Sequence, residues 1–358
     1  MRKPYRTDLT DEQWSILESL IPPTKPGGRP RKVDMRQVLN TLFYQERTGC
    51  QWDMLPHDLP PKSTVFEYFS QWRDDGTWQR FLDALREKVR TSTVKPTPIA
   101  TTEPSEPTPC PVPADDQAQT SPNTPNPVYH DSQPVPSQPT AGAVGQNSQA
   151  EHSLSPSAPV KKDHPLVNAA DAKQDNKGSS DSNSPRREAT PSLIIIDSQS
   201  VKTTEVGGAE RGYDGGKKIK GRKRHIVVDS LGLLVAVAVT SAAVDDGVGA
   251  PLALGQLDPE KFSRVVKVLG DSKYHNFALY AWLEQHSSGK WELEVKTRPK
   301  GSKGFVLLKK RWVVERTFAW LGRSRRLSKD YERLASSSEA HCKVSMIHLM
   351  LRKLKSAA

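Results

Sequence analysis

The spacing of apolar positions divides the chain into three zones. In residues 1–90 they recur at helical intervals. Trp14, Ile16, Leu17, Leu20 and Ile21 form one apolar stripe behind Thr10–Gln13, a capping box, and Pro22 and Pro23 end that helix. The pattern predicts a second helix over about 34–48, a third opened by Ser63 with Val65, Phe66, Phe69 and Trp72, and a fourth opened by Thr77 with Trp78, Phe81, Leu82 and Leu85. In residues 191–358 the pattern alternates between strand and helix. Strands are expected at about 193–201, 223–230, 233–241, 264–270 and 291–297, and helices at about 248–256, 274–286, 308–323 and 336–355. The turn "DSLG" (229–232) joins the second and third strands as a hairpin. The first strand, "LIII", is apolar on both faces, so it lies between two layers. Three strands in meander, then α/β alternation, give a mixed sheet flanked by helices; periodicity alone says no more than α/β.

Between these zones the apolar pattern stops. Residues 91–190 hold 17 of the chain's 29 prolines, no Phe or Trp, and Tyr129 as their one aromatic side chain. Such a segment cannot bury enough apolar surface to offset the entropy of ordering it, so it reads as a disordered linker. The chain's 358 residues thus suit two folded domains, 1–90 and 191–358, on either side of it. Charge sharpens the picture. The chain carries a formal +11, but the linker is net −4, which leaves +15 on the zones that fold. That excess suits a partner made of phosphates. The short helices and the basic loop "GGRPRK" (27–32) of the first zone suit a helix-turn-helix-like DNA reader; a plain helical dimerisation module is the bland alternative. Cys50, Cys110 and Cys342 are odd in number and far apart, with no metal spacing or disulfide framework, which fits a reducing cytoplasm. The N-terminal residues "MRKPYRTDLTDEQW" hold no apolar signal region, and no stretch is long enough to span a membrane.

Three carboxylates sit where chemistry could use them. Asp197 ends the "LIII" strand, and Asp271 follows a second apolar strand in "VVKVLGD". Two strands that each end in Asp can place both groups at one edge of a sheet, where open α/β sheets put their sites. Glu315 lies in "RWVVERTFAWL", a helix apolar almost all round, so it is expected to face inward. Acidic groups brought together repel one another, and Mg²⁺, a hard cation with a preference for oxygen ligands, resolves this. Bland readings stand beside this one. An Asp after a strand is commonly a turn former or cap, and a Glu in an aromatic helix commonly pairs with an Arg, here Arg311 or Arg316. Asp229 is read as the hairpin turn, and Asp245 and Asp246 as a helix cap or strand end that could support the site. Basic runs flank each acidic motif: Lys202; Lys217, Lys218, Lys220, Arg222, Lys223 and Arg224 in a glycine-rich loop; and Arg311, Arg323, Arg325 and Arg326 around the Glu helix. They are candidates for phosphate contacts.

The motifs "IDSQSVKT" (196–203), "GYDGGKKIKGRKRHIVVDSLGLLVAV" (212–237), "LGDSKYHN" (269–276) and "RWVVERTFAWLGRSRRLSKDYE" (311–332) resemble those of DDE transposases of bacterial insertion sequences, of the insertion-sequence-5 type. "LTDEQWSILESLIP" and "GRPRKVDMRQVLNTLFYQERTGCQWDMLP" resemble that family's small helical domain. The resemblance implies a ribonuclease H-like catalytic fold and an Asp-Asp-Glu triad that falls on Asp197, Asp271 and Glu315. It also implies two Mg²⁺ ions, with Mn²⁺ as a substitute, held by those residues, and no small-molecule cofactor. The implied partner is double-stranded DNA, both element ends and target, engaged by a homodimer or larger assembly in the bacterial cytoplasm, at the nucleoid. The implied activity is metal-dependent strand cleavage and strand transfer; a catalytically inactive DNA-binding relative is the alternative. Two departures stand out. About a hundred polar residues separate the helical zone from the "TPS" segment (190–192), where the family runs almost directly on. Related groups carry Tyr three positions before the Arg that precedes the Glu, and here that position is Leu308.

Overall fold

In the computed structural model, which describes residues 2–23, 31–93, 186–205, 207–297 and 310–355, the chain order is as follows. Four helices come first: α1 (Asp11–Glu18), α2 (Met35–Thr48), α3 (Lys62–Asp74) and α4 (Thr77–Ser92). Then come β1 (Leu193–Lys202), β2 (Gly212–Asp214), β3 (Ile219–Asp229), β4 (Leu234–Ser241) and α5 (Asp246–Leu254). The chain continues through β5 (Lys267–Gly270), α6 (Phe277–Ser287), β6 (Glu292–Val295), α7 (Trp312–Leu321) and α8 (Ala335–Lys355). Leu308, most of the "GGRPRK" loop and most of the 91–190 segment lie outside the described residues.

β1 is the centre of the sheet. It pairs antiparallel with β3 and parallel with β5; β3 carries β4, and β5 carries β6 in parallel. An antiparallel meander continued by two parallel strands is the ribonuclease H-like order expected from the sequence. Short β2, not expected, pairs with the start of β3. The alternation of β1 explains why its apolar run is unbroken. Ile194 and Ile196 pack with α5 and α6, while Ile195 packs on the opposite layer with α7 and α8. The hairpin turn also forms as read. Gly232 takes a left-handed φ of 76°, and the Asp229 carboxylate accepts from the amides of Leu231 and Leu233 at 2.8 and 2.9 Å.

The N-terminal helices share the layer behind Ile195. Phe69, Trp72, Trp78 and Phe81 join Ile347, Met350 and Leu351 of α8 in one apolar core. The Phe69 ring stacks on His341, and Phe43 stacks on His348, each with ring centres 4.5 Å apart. Polar ties follow: Arg90 meets Asp229 at 2.6 Å with both side chains buried, and Gln79 donates to the Val235 carbonyl at 3.0 Å. Residues 2–93 and 186–355 thus pack within one compact unit. The amide of Arg187 donates to the Thr93 carbonyl at 3.2 Å, so the chain leaves and re-enters this unit at one place.

Cap chemistry matches the sequence where the capping residue has the right backbone. The Thr10–Gln13 box is formed, and Asp34 caps α2. Two caps fall elsewhere. α3 begins at Lys62 behind Pro61, so Ser63 is inside the helix. Gly76, in the left-handed region, rather than Thr77, is the N-cap of α4, and the Asp75 carboxylate before it accepts from the Thr77 amide at 2.9 Å.

Candidate active site

β1 and β5 run parallel with Ile195 beside Leu269. The pairing stops there, two residues short of Asp197 on β1 and of Asp271, which follows β5. Asp271 also accepts from the Lys273 amide at 2.9 Å, capping a single 3-10 turn, which fixes its backbone at the sheet edge. Asp197 projects on the same face as Ile195, the face covered by α7. There Arg311, just before α7, donates to Asp197 at 3.2 Å and to Glu315 one turn later. Arg311 thus links Asp197 to Glu315, and the Asp271 charge reaches the Asp197 carboxyl.

Glu315 corrects the sequence reading of α7. The helix is buried along Val313, Val314, Thr317 and Leu321 only, and the Glu315 side chain is 43% exposed. Its aromatic residues mislead because Trp312 and Trp320 are held at the surface by Arg316, whose guanidinium stacks on both. The Glu–Arg pairing weighed from sequence does form, with Arg311 as the partner.

Burial pushes the Asp197 carboxyl up to about 6, against the Ser198 amide and Arg311, and Asp271 adds to the rise. An acid in this state is short of positive charge. Among the described residues, no three His, Cys, Asp or Glu side chains converge on one ion-sized space. The donor set nevertheless suits a hard divalent cation, since it is all oxygen and Arg311 already supplies positive charge between two members. Lys217 also acts on Asp197, and its ammonium donates to the Ser198 carbonyl at 3.3 Å.

The residue after Asp197 faces the other layer. Ser198 donates to Asp246, the first residue of α5, at 2.6 Å, and Asp246 also meets Lys223 at 2.8 Å and Lys273 at 3.3 Å. Burial acts to raise the Asp246 carboxyl, but the bonds from Lys223 and Ser198 outweigh it and hold it near about 2. This buried network ties β1, β3, α5 and the turn after Asp271 together directly under the carboxylates. Asp246 thus takes the supporting position weighed for it, while the parts played by Ser198 and Lys273 were missed. The available signal was adjacency: Ser198 follows Asp197 on β1, where successive side chains face opposite sides, and Lys273 lies in the turn two residues after Asp271.

The basic candidates divide sharply. The expected glycine-rich loop is β3 from Ile219 onward, paired with β1 as far as Lys202 opposite Gly221. Arg222 is fully buried, and it bonds Asp330 and the carbonyls of Glu210, Glu332 and Arg333. Arg224 is buried and donates to the Leu327 and Lys329 carbonyls. Arg326 is buried against Glu332, and Lys223 against Asp246. These four are corrected from DNA contacts to internal ties, because their donors are engaged inside the protein. Lys202, Lys217, Lys218, Lys220, Arg323 and Arg325 remain exposed, and Arg311 lies at the carboxylates.

Comparison with known proteins agrees with the two folded zones. Residues 188–350 match the family described as "Transposase DDE domain", and residues 9–82 match "Putative transposase of IS4/5 family". The chain is 32% identical over 98 residues to the "Insertion element IS402 uncharacterized 16.2 kDa protein" of Burkholderia cepacia, covering 25% of this chain and 63% of that one. It is 26% identical over 81 residues to "Uncharacterized protein y4sN" of Sinorhizobium fredii (strain NBRC 101917 / NGR234), covering 23% of this chain and 65% of that one. The matches thus span less than two thirds of either relative's length. No solved structure matches the chain. Among the described residues no helix is long and apolar enough to cross a membrane.

Proposed function

We propose that this chain, which belongs to the DDE transposases of insertion sequences, binds the ends of its own element, hydrolyses a phosphodiester there and joins the freed 3′-hydroxyl to target DNA. The observation that supports this reading is that Arg311 joins Asp197 to Glu315 while the Asp271 charge acts on Asp197, on strands β1 and β5 that run parallel. A rigid central strand suits this role, because ligands mounted on strands are positioned better than ligands on loops.

Asp197, Asp271 and Glu315 would hold Mg²⁺, or Mn²⁺ in its place. The bound ions would supply Lewis-acid polarisation of the phosphodiester and activation of water. The rest falls to the chain. Arg311 balances the carboxylates before cation and DNA arrive, then is free to meet a phosphate. Lys217 stands at the carboxylates, and Lys202, Lys218 and Lys220 present charge along the adjoining strand ends, so they hold the backbone without reading bases. The buried Asp246 network keeps β1 and the Asp271 turn in register under load. Two or more copies of the chain would pair the element's two ends.

The test is cleavage of labelled duplexes carrying the element ends, with Mg²⁺. Asp197→Asn, Asp271→Asn and Glu315→Gln should each abolish cleavage and leave end binding intact. Near-normal cleavage by one variant removes that residue from the triad. Binding without cleavage by the unmodified chain would make it a non-catalytic relative.

A further inference from the structure

Away from the carboxylates, the unit carries a trough with no evident structural purpose. One cavity of about 610 Å³ lies among α2, α4, α7, α8 and the hairpin turn, and a second of about 830 Å³ opens beside the N-terminal segment. They share Arg47, His348 and Arg352 as walls, so they adjoin across those three side chains and together form the trough. Its lining is strongly one-signed. Arg316, Arg323 and Lys353 stand at one end, Arg47 in the middle and Arg6 at the other.

Among the described residues that line it, the one carboxylate is Asp8, and Arg2 engages it at 2.7 Å. Asp229 acts on Arg316 and Lys353 from behind, but its oxygens are taken by Arg90 and two turn amides. Ring and carbonyl contacts hold Arg316, Lys353 and Arg47 in place. Arg316 and Lys353 both stack on the Trp320 ring, at 4.7 and 4.6 Å. The Arg47 guanidinium donates to the Arg323 carbonyl at 2.6 Å. Burial, followed by the nearby Arg352 and Arg47, drives the His348 imidazole down to about 4. Gathering like charges in this way costs free energy that a bound anion would return.

We infer that this trough is a second DNA contact, which takes the sugar-phosphate backbone of a duplex beyond the reacting phosphodiester. Two adjoining basic cavities suit a polymer backbone better than a single small anion. Its position also fits, because α7 links it to the candidate site: Glu315 and Arg323 are eight residues apart, roughly 12 Å at 1.5 Å per residue. That distance is about three to four base pairs along a duplex at about 3.4 Å each. Because Arg6 and Arg47 come from the N-terminal part and Lys353 from α8, one stretch of DNA would grip both ends of the chain at once. The inference rests on the proposal that the chain acts on DNA.

The experiment is a salt titration of the full chain on labelled random-sequence duplex, comparing it with the Arg323→Gln/Lys353→Gln double variant. Both side chains are exposed at the trough, and melting curves confirm that the variant folds. Losing two phosphate contacts should lower the log–log salt slope by roughly 1.8, at about 0.9 each, and weaken binding roughly 10- to 100-fold near 0.1 M salt. An unchanged slope in a variant that still binds overturns the inference and leaves the transposase reading standing. Failure of the unmodified chain to bind any DNA overturns both. A second measurement needs no variant: acetylation of Lys353, read by mass spectrometry, should slow when duplex is added. Equal acetylation with and without bound duplex overturns the inference.

Discussion

The Arg311 guanidinium lies 3.2 Å from the Asp197 carboxylate, at the edge where β1 meets α7. The same group bonds Glu315, so one cation balances two acids. This arrangement makes Arg311 a competitor of any metal ion for that space. Arg311→Gln should therefore lower the melting temperature without divalent ions and enlarge the upward shift that Mg²⁺ produces. Thermal melts with and without Mg²⁺ check this. An equal Mg²⁺ shift in both proteins would mean that Arg311 and the ion do not share the site.

The split of the basic run between strand and surface gives a second expectation. Arg222 is buried with Asp330, so Arg222→Gln leaves a buried carboxylate unpaired and should cost about 3–5 kcal/mol of stability. Lys218→Gln/Lys220→Gln removes only exposed charge and should cost under about 0.5 kcal/mol. The lysine variant should instead weaken binding to random and specific DNA alike, with a salt slope lower by roughly 1–2. Urea unfolding and DNA titration of both variants check the division. A stable Arg222→Gln protein with impaired DNA binding would reverse it.

A third expectation concerns pH. His341 is fully enclosed between Glu46, which it bonds, and Glu332, 3.3 Å away; Arg326 bonds Glu332 at 2.8 Å. Burial lowers the His341 pKa, but the two carboxylates outweigh it and raise the group to about 9. A raised folded pKa gives stability that is fully present below the unfolded value of about 6.5 and is lost as pH rises towards 9. On the acid side the sign reverses. Burial depresses His225 and His348 to about 4, so their contribution is present above about 6.5 and lost as pH falls towards 4. Stability should thus peak near pH 6.5 and fall on the alkaline side by at most about 1.4 kcal/mol per pH unit. Urea midpoints from pH 5 to 9 test this, and His341→Gln should flatten the alkaline limb. An unchanged limb in that variant would place the proton elsewhere.

The fourth expectation follows from the contact between Thr93 and Arg187. The two ends of the intervening chain already meet, so a short bridge can replace residues 95–184. Composition reads that segment as an unfolded loop, and cutting about 90 residues to about 11 is three halvings of loop length. At about 0.6 kcal/mol each, the protein should gain roughly 2 kcal/mol. Urea unfolding of the shortened chain tests this. A loss of stability would show that the segment packs on the rest.

The sequence by itself determined the elements that rest on local chemistry. The Thr10–Gln13 box, the "DSLG" turn and the doubly covered "LIII" strand depend on a few adjacent residues and are found where the pattern puts them. So is the order of the sheet, because a strand apolar on both faces must be central. The parallel neighbourhood of the two acid-bearing strands was legible for the same reason: β1 and β5 are both apolar runs buried in the sheet. Tertiary structure alone decided the fate of the charges. A basic side chain reads alike in sequence whether it faces water or a buried carbonyl, so Arg222 and Lys220 could not be told apart until β3 paired with β1. Glu315 lies outward for a similar reason. Which stripe of α7 is buried depends on the layer it meets, and Arg316 keeps Trp312 and Trp320 at the surface. The docking of the N-terminal helices on α8 likewise needed contacts between residues some three hundred positions apart, such as Glu46 with His341. Periodicity marks the face that is buried, but not the partner that buries it.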